Sequence, residues 1–93
     1  MARLTDDEVA TRLEGSEWRQ EGEAIERDLR FPDFALAIAF VDRVAEVAEA
    51  ANHHPDILVH GWNKVRLTLS THSEGGLTEA DFALARRLDE LAA

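Results

Sequence analysis

Residues 49–81 read EAANHHPDILVHGWNKVRLTLSTHSEGGLTEAD, and this stretch decides both the fold and the chemistry on offer. All four histidines lie in it: His53 and His54 side by side before Pro55, then His60, then His72 at the end of an apolar run. Proline holds the residue before it in extended backbone, so the helical pattern upstream has to stop near Asn52 or His53. Beyond the proline the period changes. Val65, Leu67 and Leu69 take one parity and Arg66, Thr68 and Ser70 the other, the mark of a half-buried strand. Residues 56–59 and 64–71 are therefore predicted as a strand pair turning around Gly61, with a loop over 73–76. Thr78-Glu79-Ala80-Asp81 then opens a helix as a capping box, with Leu77 and Phe82 as its hydrophobic staple. Leu84, Leu88 and Leu91 give that helix an apolar stripe.

The upstream half repeats this grammar. Thr5-Asp6-Asp7-Glu8 is a capping box flanked by Leu4 and Val9, and it starts a helix over 6–14 that Gly15 ends. Residues 18–30 read as two short strands turning at Glu21-Gly22-Glu23. Ile25, Leu29 and Phe31 share one parity, with Glu26, Asp28 and Arg30 on the other; Trp18 reads as core. Asp33, after Pro32, caps a long helix with Phe34, Ile38, Val41, Val44, Ala45 and Ala48 at helical spacing. Asp42, Arg43, Glu46 and Glu49 take its wetter side. The order is α-β-β-α-β-β-α. It predicts a single α+β domain over residues 1–93, a two-layer α/β sandwich with a four-stranded antiparallel sheet and the helices on one face. The opposite face of the sheet is then a candidate subunit contact.

A chain of 93 residues buries only about 60–65% of its unfolded surface. It has no cysteine to cross-link it, so a homo-oligomer is the natural source of further burial. Ten basic and nineteen acidic residues leave a net charge of −9. A field of that sign repels phosphate, which argues against direct nucleic-acid binding and against anionic membrane surfaces. No apolar run approaches the roughly 20 residues that span a bilayer. MARLTDDEVA carries no apolar core behind a basic stretch, so the expected location is cytoplasmic.

Without cysteine, any catalytic centre must be built from imidazole and carboxylate. Imidazole suits that work because its unperturbed pKa of about 6.5 lets it give and take protons near neutrality. Glu49 and His53 are four apart, so on a helix the carboxylate can accept the imidazole N–H; His54, past the helix end, is expected to point elsewhere. His72 falls in parity with Thr68 and Ser70. Spacing alone does not bring the three imidazoles together. Plainer readings stand beside these. A histidine at a helix C-terminus is more often a partner of the helix dipole than a catalyst. Asp81 at the third helical position caps, Glu49 is solvated, His60 is a surface turn residue, and Trp62 is either a hairpin anchor or a stacking wall. Glu49, His53 and His72 have some promise as zinc ligands, but there is no HExxH and adjacent histidines splay their rings, so no metal is expected. No glycine-rich phosphate loop and no nucleophile elbow is present.

Glu49-x-x-x-His53-His54-Pro55, then Trp62, then Ser70-Thr71-His72, then Asp81, resembles the signature of the pterin-4a-carbinolamine dehydratases, and the resemblance runs over essentially the whole chain. It departs from many animal members at Asn52, Ile57 and Ala80, and by one extra residue between Pro55 and Trp62. The resemblance implies a four-stranded antiparallel sheet backed by helices, assembled into dimers or tetramers. It implies dehydration of 4a-hydroxytetrahydrobiopterin or a related tetrahydropterin to the quinonoid dihydropterin, with no metal and no cofactor. His53 and His72 would be the acid and base, with His54 holding the pterin. Glu49, Trp62, Ser70, Thr71 and Asp81 would bind the substrate or orient an imidazole. It leaves open a second role, since some members act as scaffolds in protein assembly.

Overall fold

Each helix starts at the cap its sequence supplies. Thr5 Oγ1 accepts the Glu8 N–H while Glu8 reaches back to the Thr5 N–H. Asp33 accepts the Leu36 N–H, and Thr78 and Asp81 form the second capping box. The computed structural model describes residues 2–93. In it α1 (Asp6–Leu13), β1 (Arg19–Glu21), β2 (Ala24–Arg30), α2 (Phe34–Ala51), β3 (Asp56–His60), β4 (Lys64–Leu69) and α3 (Glu79–Ala92) follow in the expected α-β-β-α-β-β-α order. A single 3-10 turn, His72–Glu74, lies between β4 and α3.

The sheet is antiparallel throughout, in the order β1-β2-β4-β3. Its inward residues Ile25, Val65, Leu67 and Leu69 join Val9 of α1, Phe40 and Val44 of α2, and Leu84 and Leu88 of α3 in one buried cluster. All three helices therefore cover the same face. Truncating a side chain as large and buried as Phe40 to alanine would cost about 3–5 kcal/mol. Arg27 shares the inward parity of Ile25. It is tolerated there because Asp89 of α3 accepts from its Nη1 at 2.5 Å and from Trp18 Nε1 at 2.8 Å.

One expectation is corrected. The buried stripe of α2 is Ala37, Phe40, Val44 and Ala48, whereas Phe34 and Ala45 are exposed. The first turns of α2 are apolar nearly all round, so periodicity does not select a face there. Phe40 does, packing against Phe31 with ring centroids 5.1 Å apart. The outer face of the sheet, the candidate subunit contact, carries a network of ion pairs. Arg19 pairs with Glu21, Glu26 and Asp28, and Arg66 pairs with Asp28. The exposed large apolar side chains are Phe34 and Leu36 at the start of α2, Ile57 and Leu58 on the edge strand β3, and Trp62. Among the described residues no helix is long and apolar enough to cross a membrane.

Candidate active site

Helix α2 ends at Asn52, whose φ of 51° is left-handed, a conformation that asparagine adopts more readily than most residues. The Asn52 N–H is donated to the carbonyls of Ala48 and Glu49, and the His53 N–H to Ala48. This reversal sends the two histidines in different directions. His53 turns inward, and its Nε2 lies 2.6 Å from Asp81 Oδ1 at the start of α3. His54 folds back over α2 and places its Nε2 on Glu49 Oε2. The expected Glu49–His53 pair is thus replaced by Glu49–His54 and Asp81–His53. The four-residue neighbour rule holds only while the helix continues, and the chain leaves it one residue before His53.

Asp81 is fully buried and caps α3, as expected, but it does more than cap. Its Oδ2 accepts the Thr78 N–H at 2.9 Å and the Thr71 hydroxyl at 2.8 Å, leaving Oδ1 for His53. With the Thr71 proton committed to Asp81, the 2.8 Å contact between the two threonine hydroxyls has Thr78 donating to Thr71. Every partner of this carboxylate is a donor. That is what makes its burial tolerable, since an uncompensated carboxylate costs several kcal/mol on leaving water.

After β4 the backbone closes on itself. Thr71 and Gly76 form an isolated bridge, and Gly75, at φ 70°, lets the loop return. His72 rides on this loop, exposed, on the side of Thr68 and Ser70, where strand parity places it. Two adjoining cavities meet there. One, of about 260 Å³, is lined by Glu23, Ala24, His54, Asp56, Thr68, Ser70 and His72. The other, of about 200 Å³, is lined by Asn52, His53, His54, Ser70, Thr71, His72 and Ser73. They share His54, Ser70 and His72, so one cleft touches all three imidazoles.

The fold therefore brings together His53, His54, His72, Ser70 and Thr71, with Glu49 and Asp81 behind two of the rings. It does not bring Trp62. That residue sits at the β3–β4 tip with φ 59° and 61% exposure, and it lines neither cavity. The length of β3, about 3.3 Å per residue, separates it from Asp56. His60, at the end of β3, is an exposed residue as expected. Sequence reasoning missed Glu23, Asp56 and Thr68 as cleft residues. Thr68 was within reach, since it shares the parity of Ser70. Asp56 required the register that sets it opposite Thr68. Glu23 required the order β1-β2-β4, through which Ser70 Oγ donates to the Glu23 carbonyl at 2.8 Å.

Chemically, His53 and His54 each engage a carboxylate through Nε2, which fixes the ring and leaves Nδ1 as the nitrogen for a bound molecule. Among the described residues no three His, Asp or Glu side chains converge as a metal set.

A four-stranded antiparallel sheet, helices on one face and three imidazoles at one end define a small α+β domain with a cleft equipped for proton transfer. The chain belongs to the Pterin 4 alpha carbinolamine dehydratase family, whose profile matches residues 2–91. A protein of Thermomicrobium roseum, provisionally named as a pterin-4-alpha-carbinolamine dehydratase, is 53% identical over 93 residues, 99% of each chain. The crystal structure of a transcriptional coactivator/pterin dehydratase from Brucella melitensis superposes with a TM-score of 0.91 at 38% identity, covering 98% of this chain and 99% of that one. A pterin dehydratase-like protein identified as a RuBisCO assembly factor in the alpha-carboxysome superposes with a TM-score of 0.71 at 32% identity, covering 83% of this chain and 90% of that one.

Proposed function

We propose that the protein dehydrates 4a-hydroxytetrahydrobiopterin, or a related 4a-hydroxytetrahydropterin, to the quinonoid dihydropterin and water, serving tetrahydropterin recycling in the cytoplasm. The observation that carries this reading is the single cleft shared by His53, His54 and His72, two of whose rings are oriented by carboxylates. Hydroxide is a poor leaving group. The barrier falls when an imidazolium gives its proton to the 4a-oxygen as the C4a–O bond breaks. A second imidazole takes the N5 proton as the C4a–N5 double bond forms. Water leaves, no electrons are exchanged, and neither metal nor cofactor is required. Help of this kind is worth roughly 10²–10⁴ in rate.

His53 and His72 take the acid and base roles. Asp81 fixes the His53 ring and offers compensation for the charge it carries when protonated. His54, held by Glu49, binds the pterin, together with Ser70 and Thr71. Trp62 has no part in this cleft within its own chain. A homodimer or homotetramer would cover the exposed apolar side chains of α2 and β3.

The test is the ultraviolet decay of 4a-hydroxytetrahydropterin generated in situ, followed by stopped flow. Acceleration by the protein that is lost in His53→Ala and His72→Ala supports the dehydratase. A folded protein that leaves the spontaneous rate unchanged overturns it. The weight would then move to a non-catalytic scaffold in protein assembly, a reading favoured by the likeness to the carboxysomal assembly factor.

A further inference from the structure

We propose that Arg3 is a positioning residue for the histidine cleft, acting through the loop that carries His72 and through Glu23. The kinetic part of this inference rests on the dehydratase reading; the geometric part does not.

Arg3 and Leu4, ahead of α1, lie as a strap across that loop. The Leu4 N–H is donated to the Leu77 carbonyl at 2.7 Å, and Arg3 Nη1 donates to the Gly75 carbonyl at 3.1 Å. The same Nη1 is 3.6 Å from Glu23 Oε1. The aliphatic stem of Arg3 covers Gly76, where an added Cβ would stand 2.6 Å from Arg3 Cδ. Gly75 has a left-handed φ that explains its glycine; Gly76 has none, and a side chain there would have to displace the Arg3 stem.

His72 needs such a device. It is exposed, so core packing does not fix it. Inside its loop the Glu74 N–H bonds to the Thr71 carbonyl and the Gly75 N–H to the His72 carbonyl, while the Thr71–Gly76 bridge closes the neck. Arg3 ties the outer rim of this loop at Gly75. Glu23 faces both ways: it lines a cavity of about 360 Å³ with Arg3 and the cavity of about 260 Å³ with His54 and His72. One guanidinium therefore joins two walls of the cleft without entering it. The pair is too exposed to add much stability. Its removal should disturb geometry rather than folding, and small misplacements of catalytic groups are costly in rate.

Arg3→Met keeps a stem over Gly76 and removes the guanidinium; Arg3→Lys keeps a cation beside Glu23. The thermal midpoint of Arg3→Met is expected within about 3 °C of wild type. Amide exchange at Gly75 and Gly76 should rise about tenfold, and the His72 ring signals in NMR should move while those of His60 stay in place. In turnover, kcat should fall about three- to tenfold with KM changed less than about twofold, and Arg3→Lys should recover part of the loss. Unchanged loop exchange and His72 signals in folded Arg3→Met overturn the inference, as does unchanged kcat in an active enzyme. A wild type without dehydratase activity whose His72 signals still respond to Arg3→Met overturns the proposed function and leaves the role of Arg3 standing.

Discussion

His53 and His54 are neighbours in sequence, and each sets Nε2 on a carboxylate, yet the two pairs live in different solvents. The side chains of His53 and Asp81 are 18% and 0% exposed; those of His54 and Glu49 are 56% and 76% exposed. Asp81 is also bound by the Thr78 N–H and the Thr71 hydroxyl, so one buried carboxylate ties the start of α3, the segment after β4 and the His53 ring into one unit. Glu49 holds His54 in competition with water. The comparison teaches that the same local chemistry yields a rigid, structural pair on one side of the cleft and an adjustable one on the other. Rate and stability should both weigh on the His53–Asp81 side.

The largest effect is expected in turnover. His53→Ala should lower kcat roughly 10²–10⁴-fold. His54→Ala should act mainly through KM, by about tenfold, as the loss of a binding contact does. Steady-state kinetics on the two variants checks this; equal losses in kcat would break the contrast between a fixed ring and an adjustable one. Stability comes next. Asp81→Ala removes a cap and leaves the Thr71 hydroxyl and a buried N–H without their acceptor, for a cost of about 2–4 kcal/mol. Glu49→Ala should cost less than about 0.5 kcal/mol. Urea unfolding of both variants measures the gap, and similar midpoints for the two would mean that burial does not set the weight of these pairs.

The fold was largely legible because its punctuation is strong. Two capping boxes, an aspartate cap, Pro55 and the alternation of 65–70 each have one structural reading, and the element order follows from them. The α2 face was legible only in its second half, at Val44 and Ala48; its first turns are apolar on several sides, and there the Phe31–Phe40 contact had to choose. In the site, the histidines stood out, but their partners depended on a single backbone feature. The left-handed Asn52 decides whether Glu49 meets His53 or His54, and an asparagine is permitted, not compelled, to adopt that conformation. Within its own segment Asp81 reads only as a cap at the helix start. Its bond to His53 links residues 28 apart and exists only once α2 and α3 pack. Glu23 and Asp56 depend on strand order and register, which local sequence does not encode.

The smallest prediction bounds what an exposed pair contributes here. On the outer face Arg66 Nε donates to Asp28 Oδ1 at 2.8 Å, and both side chains are well exposed. The Arg66 hydrogen bond holds the Asp28 carboxyl below its ordinary value of 3.8, opposed by burial and helped by the field of Arg19. A carboxyl depressed in the folded state stabilises the protein above its unfolded pKa, and that contribution is lost as the pH falls through the folded value. Asp28→Asn should therefore cost less than about 1 kcal/mol at neutral pH, because solvent screens the pair. The difference from wild type should close in acid, once the wild-type Asp28 is itself protonated. Urea midpoints for the two proteins on either side of the carboxylate range check the sign. A gap that persists in strong acid would assign the cost to packing rather than charge. Asp28 has a guanidinium whose charge is permanent, whereas Glu49 has an imidazole charged only when protonated. Both pairs are exposed to solvent, so the Glu49–His54 pair, like Asp28–Arg66, is expected to add little to stability. Its place in the molecule then rests on orienting His54, not on holding the fold.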